Sequence, residues 1–247
     1  MNSKDLDIAE FLQNGWDLKS HLARYLGISI DVLERRLPNS SNELASLHPS
    51  SLPADQATSF YETKVGTGHL FELAAWHLNS AVYIGETLLL QQMFAKGIVL
   101  DFGGGIGTHA LFAAALKDVD HVWFVDLNPH NRSFVEHRAK LLGLTEKISI
   151  ARDLESINEK YFDTFICLDV LEHLPDPSAQ ILRFLERMKP DAKVLLNWYF
   201  FKGNKGEYPF HFDDPLMIED FFRTLQENFI EVFHPLLITT RVYKAWV

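Results

Sequence analysis

One stretch, Ile98-Val-Leu-Asp-Phe-Gly-Gly-Gly-Ile-Gly-Thr-His109, limits what this chain can fold into more than any other. An apolar run ends in Asp101 and breaks at once into glycines, and helix-forming residues resume at Ala110–Leu116. That order predicts a buried strand, a tight turn and a helix whose first N–H groups point back over the turn. Glycine there permits unusual backbone angles and lets a ligand touch the main chain. The helix N-terminus adds partial positive charge, which favours an anionic group. A dinucleotide turn would need G-x-G-x-x-G. Here Gly103, Gly105 and Gly107 are spaced G-x-G-x-G, and Thr108 stands where that pattern needs its last glycine.

From Gly97 onward, strand-like and helix-like segments alternate, the pattern of a parallel sheet covered by helices on both faces. Strands are predicted at 98–102, 121–126, 148–151, 162–169 and 193–200, with two closing strands at 229–235 and 238–246. Residues 1–95 show no strand alternation and predict a helical N-terminal cap or lid, leaving 96–247 as the second unit. Within the cap, 38–56 is rich in Ser, Pro and Asn and is expected to be a loop. His69, Glu72 and Trp76 share one helical face by their spacing. They are expected to line a pocket, to supply half of a metal site through His69 and Glu72, or to form the polar rim of an amphipathic helix.

Asp101-Phe-Gly103-Gly-Gly105-Ile-Gly107 resembles motif I of the class I S-adenosylmethionine (SAM) methyltransferases, usually written D/E-x-G-x-G-x-G. Phe162-Asp-Thr-Phe-Ile-Cys-Leu-Asp-Val-Leu-Glu-His-Leu-Pro-Asp-Pro177 closely resembles a run shared by many small-molecule members, including ubiquinone- and menaquinone-pathway enzymes. Met188–Leu196 is similar to their "L-K-P-G-G-x-L" stretch, with Asp191 and Ala192 in place of the glycines. The resemblance implies an α/β, Rossmann-like, mostly parallel seven-stranded sheet ending in an antiparallel hairpin, with SAM as cofactor. By that resemblance Tyr61 touches the cofactor from the lid, Asp101, Gly103, Gly105 and Gly107 form its turn, and Asp153 and Leu154 meet the adenine. Leu127, Asp169 and Val170 complete the expected cofactor contacts. Asp126 ends the second strand, where a carboxylate can accept hydrogen bonds from both ribose hydroxyls. It also disfavours a phosphorylated ribose, because like charges repel.

Methyl transfer from a sulfonium needs an aligned nucleophile and exclusion of water, with a base where the acceptor is a hydroxyl. His173 is the candidate base, since an imidazole ordinarily titrates near 6.5, and Glu172 would orient it or face the substrate. His69, Trp76, Trp198, Tyr199 and His211 are the expected substrate contacts, the last three in an aromatic stretch after the fifth strand. The expected activity is methylation, preferably on oxygen, of a small molecule. Two alternatives stay open. Asp169-x-x-Glu172-His173 with His211 is also similar to the metal-ligand set of small-RNA 2′-O-methyltransferases, which would make the enzyme metal-assisted. The chain could instead bind SAM without catalysis and dock another protein.

The formal net charge of −10 and a pI near 5.5 count against a nucleic-acid partner, which would need a basic face. No apolar run is long enough to span a bilayer, the N-terminus is unlike a signal peptide, and the lone Cys167 fits a reducing cytoplasm. A homodimer is left open.

Overall fold

The computed structural model describes residues 6–47, 52–158, 161–235 and 238–246. The turn of 103–107 hangs from strand β1 (Gly97–Phe102), which is followed by β2 (Val119–Val125), β3 (Ile148–Ala151), β4 (Phe162–Cys167) and β5 (Met188–Leu196). The chain closes with β6 (Phe229–Phe233) and β7 (Arg241–Ala245). They form one seven-stranded sheet, ordered β3-β2-β1-β4-β5-β7-β6. β1 to β5 pair in parallel, and β7 runs antiparallel between β5 and β6. The order runs outward from β1 to β3 and then restarts at β4 on the other side of β1. A crevice therefore opens at the carboxyl ends of β1 and β4, the place where open α/β sheets bind ligands.

Among the described residues, seven α-helices precede the sheet: α1 (Ile8–Asn14), α2 (Leu18–Leu26), α3 (Ile30–Arg36), α4 (Ser40–Ala45), α5 (Ala57–Ser59), α6 (Gly68–Asn79) and α7 (Ala81–Phe94). α5 runs directly into a π-helical turn, Phe60–Lys64. α8 (Thr108–Ala115), α9 (Pro129–Leu142), α10 (Pro177–Glu186) and α11 (Pro215–Asn228) belong to the alternating half. The preface shares its core with the sheet. Trp16 is fully buried and stacks on Phe112 of α8 with Phe11 tilted against it. Arg138 of α9, also fully buried, donates to the Gly15 carbonyl at 2.9 Å and to the Ile106 carbonyl at 3.3 Å. One guanidinium thus ties the end of α1 to the glycine turn.

The expected loop at 38–56 is instead partly helical. Ser40–Ala45 forms α4, and 3₁₀ turns cover Leu37–Asn39 and Ala54–Gln56, while 48–51 lies outside the described residues. The cause is burial: Leu44, Leu52, Ala57 and Phe60 pack with Phe210 in a small apolar cluster, which overrides the loop-favouring composition. The expected strands four and five also end early, at Cys167 and Leu196. Asp169 takes a left-handed backbone, φ 55°, and gives its N–H to the Asn197 side chain rather than to a neighbouring strand.

Trp16→Ala should cost about 3–5 kcal/mol of stability by opening a cavity between the preface and α8. Urea denaturation reads this directly; a midpoint at the wild-type value would mean that the preface does not depend on this contact.

Candidate active site

The glycine turn works because its main chain is left-handed where the motif puts glycine. Gly103, Gly105 and Gly107 have φ of +71°, +57° and +75°, a region costly for other residues. A side chain at Gly103 would also collide with Val170, and one at Gly105 with Leu73. The Gly105 N–H donates to Asp126 Oδ2 at 2.9 Å, while Asp126 Oδ1 accepts from the Asn128 N–H at 2.8 Å and from Asn131 Nδ2 at 3.2 Å. A carboxylate accepts about four hydrogen bonds, so one acceptor position remains for a ligand hydroxyl. Burial lifts the Asp126 pKa to about 6 despite these donors. Asp101 sits behind the turn, with Oδ2 buried and unpartnered and the Ala110 N–H on its carboxylate; burial lifts its pKa to about 7.

A cavity of about 1070 Å³ opens above this floor. Of the cofactor contacts expected from sequence, Tyr61, Gly103, Gly105, Asp126, Leu127, Asp153, Leu154, Asp169 and Val170 line it. Asp101 and Gly107 do not: the first buttresses the turn from behind and the second caps α8. Asp153 Oδ1 accepts the Ser156 N–H at 2.9 Å and Oδ2 is held by Arg152, so local protein donors occupy both oxygens. Arg152 also grips Glu62 through two hydrogen bonds of 2.6 and 2.9 Å. The Phe60–Lys64 turn is thereby fastened across the cavity mouth.

The inner end of that turn reaches the catalytic candidates. The Tyr61 hydroxyl lies 2.8 Å from His173 Nδ1, and the Phe210 carbonyl lies 3.3 Å from the same nitrogen. Burial, aided by neighbouring His211, pulls the His173 pKa to about 3, well below the 6.5 expected of a free imidazole. Burial and Asp169 push Glu172 up to about 8. Glu172 is 1% exposed and its Oε2 has no hydrogen-bond partner. Tyr208 stacks on His211, with centroids 5.1 Å apart and an interplanar angle of 12°.

All five expected substrate contacts, His69, Trp76, Trp198, Tyr199 and His211, line the same cavity. His69 also contacts Asn131 at 3.2 Å, and burial lowers its pKa to about 4. Glu72 joins them, lifted by burial to about 7. The structure adds Tyr83 and Asn197, which the sequence reading overlooked. Asn197 Nδ2 donates to the Tyr83 hydroxyl at 2.8 Å and to Asp169 Oδ1 at 2.9 Å. A polar residue directly after the apolar Val194–Leu196 run was the available signal for Asn197; Tyr83 had none.

Asp169 does not join the expected four-residue metal set. Its side chain is turned to Asn197, whereas Glu172, His173 and His211 each bring one ligand atom to within 4.8 Å of the others.

The methyltransferase-domain family model matches residues 76–200, half of the chain. The chain belongs to that family. Its cofactor is SAM, and the glycine turn, the free acceptor position on Asp126 and the apolar Leu127, Leu154 and Val170 fit an adenosyl group. The chain is 30% identical over 105 residues to the ubiquinone biosynthesis O-methyltransferase of Xylella fastidiosa (strain 9a5c), covering 40% of each protein. The corresponding enzyme of Xanthomonas oryzae pv. oryzae (strain PXO99A) matches at 30% over 105 residues, 40% of this chain and 41% of that one. The match thus spans about two fifths of those relatives' length. The mitomycin 7-O-methyltransferase MmcR superposes with a TM-score of 0.55 at 14% identity, covering 85% of this chain and 66% of that one. A SAM-dependent methyltransferase from Aquifex aeolicus gives 0.52 at 16%, covering 79% and 100%. At these identities both show a shared fold.

Asp101→Asn tests the buried carboxylate. Its folded pKa is raised above the ordinary 3.8 to about 7, so the native state holds a proton that the unfolded chain releases. This group's contribution to stability is therefore present below pH 4, declines between about 4 and 7, and levels off above. The Asn variant should gain stability relative to wild type as pH rises from 4 to 8, read by thermal melts. A constant difference across that range would show that Asp101 titrates normally.

Proposed function

We propose that this chain methylates an oxygen of a small aromatic-bearing molecule at the expense of SAM, with proton removal at His173. The observation that carries this reading is the His173 ring: Nδ1 is occupied by Tyr61 and the Phe210 carbonyl, and among the described residues Nε2 has no hydrogen-bond partner. It lies in the cavity that Gly105 and Asp126 floor. The relatives named as O-methyltransferases support oxygen as the acceptor, and Trp76, Tyr83, Tyr199 and Tyr208 supply an aromatic wall. The net charge of −10 favours a small molecule over nucleic acid. A reducing cytoplasm suits Cys167, buried within β4.

SAM, when bound, supplies a methyl already activated on sulfur. Asp126 receives a ribose hydroxyl on its open acceptor position, and Leu154 and Val170 pack the adenosyl group. The Tyr61 turn, fastened by Arg152 and by His173, closes the cavity mouth and excludes water, which strengthens every polar contact inside. Burial keeps His173 neutral across the working pH range, so a lone pair is always available. Its basicity is low, and this suffices if proton loss accompanies methyl transfer, because a hydroxyl becomes strongly acidic as its oxygen gains the methyl.

Incubation with SAM and a panel of phenols, followed by mass spectrometry, should give a product heavier by one methylene. His173→Gln should lower kcat by about 10²–10⁴-fold with S-adenosylhomocysteine affinity within about twofold of wild type. Full activity in that variant would overturn the base assignment. Asp126→Asn should weaken S-adenosylhomocysteine binding about 10-fold or more at pH 7.5, the order expected for a hydrogen bond to a charged group. The wild-type affinity should fall as pH drops through about 6, because protonation removes an acceptor. Calorimetry at pH 5 and 7.5 measures both; identical affinities for wild type and variant would exclude Asp126 from the ribose site.

A further inference from the structure

We infer that Glu172, His173 and His211 form a divalent first-row metal site at the acceptor end of the cavity, with open positions for the acceptor's oxygen. One ligand atom from each residue lies within 4.8 Å of the other two, so a small side-chain adjustment brings them to the spacing of about 3.4 Å expected of ligands 2.0–2.2 Å from one tetrahedral ion. The chemistry of the donors is selective. Two imidazoles and one carboxylate suit Mn²⁺, Fe²⁺ or Zn²⁺, whereas an all-oxygen set would suit Mg²⁺ or Ca²⁺.

The hydrogen bonds around the cluster carry the inference further. Metal-ligating histidines hold their other ring nitrogen on a carbonyl or carboxylate, which sets the tautomer. Both rings do this here: His211 Nδ1 lies 3.0 Å from the Phe201 carbonyl and His173 Nδ1 lies 3.3 Å from the Phe210 carbonyl. Nε2 is thereby left as the metal-facing nitrogen of each. Glu172 is almost completely buried with Oε2 unpartnered. An unpaired buried carboxylate oxygen is costly, and a cation beside two neutral imidazoles would satisfy it. The fourth residue of the sequence pattern, Asp169, is absent from the cluster because Asn197 holds it.

The inference rests on the methyl-transfer reading and changes the agent of proton removal. An acceptor hydroxyl bound to the cation would lose its proton to solvent, as metal-bound water does. Its oxygen would then attack the sulfonium methyl: the O–C bond forms, the C–S bond breaks, and neutral S-adenosylhomocysteine leaves.

Chelator-treated full-length protein is titrated with Mn²⁺ by electron paramagnetic resonance and with Zn²⁺ by calorimetry, and with S-adenosylhomocysteine in parallel. One saturable site is expected, weakened at least 10-fold in Glu172→Gln and in His211→Gln, and retained in Asp169→Asn. Retained S-adenosylhomocysteine binding shows that the Glu172→Gln and His211→Gln variants are folded, and an unchanged thermal melt shows the same for Asp169→Asn. Absence of a one-to-one site in the wild type, or wild-type metal affinity in the two ligand variants, overturns the proposal. Methylation that survives the chelator leaves the methyl-transfer reading standing while the metal falls. Metal binding without S-adenosylhomocysteine binding would do the reverse.

Discussion

The hydrogen bond from the Gly105 N–H to Asp126 is the contact on which the cavity depends. It exists because β1 and β2 pair in parallel, with Phe102 opposite Val125, so that the turn leaving one strand meets the carboxylate ending the other. The turn can reach only because its glycines accept a left-handed main chain with neighbours pressed against their Cα atoms. Asp101 behind the turn and Arg138 beneath it hold that conformation from the protein side. Both are buried ionisable groups, and each leaves one polar atom without a partner, Asp101 Oδ2 and Arg138 Nε. Such groups lower stability.

The opposite end of the cavity is built by different means. Asp169 breaks β4 with a left-handed backbone that Asn197 stabilises from both main chain and side chain. That break turns Leu171–His173 into a short 3₁₀ turn and presents Glu172 and His173 side by side. The loop after β5 returns His211 and Phe210 to them, and the Phe212 N–H bonds to the Glu172 carbonyl at 2.7 Å. Segments distant in sequence thus make one corner, while the Tyr61 turn reaches it from the helical preface.

The glycine motif, the acid ending β2 and the run from Phe162 to Pro177 were legible because each is local. A strand, a turn and a helix start lie within about a dozen residues, and periodicity and glycine spacing record them. The elements misread were those decided by distant partners. Residues 40–45 are polar enough to read as loop, yet they become helical because Leu44 finds Phe60 and Phe210. The ordinary value for His173 likewise misses its surroundings: burial withdraws the ring from water, and the nearby His211 and His69 lower its pKa further.

The sequence by itself determined the class of this protein: an α/β sheet with a glycine turn, a carboxylate ending the second strand and a histidine after the fourth. Short-range spacing suffices for that, because backbone angles and strand order are set by neighbouring residues. Only the tertiary structure decided which of four candidate ligands meet, which carboxylates are starved of water, and that Tyr61 and Arg152 bridge the preface to the sheet. Those outcomes depend on burial and on contacts between residues far apart in the chain, and no local pattern encodes the electrostatic environment that results.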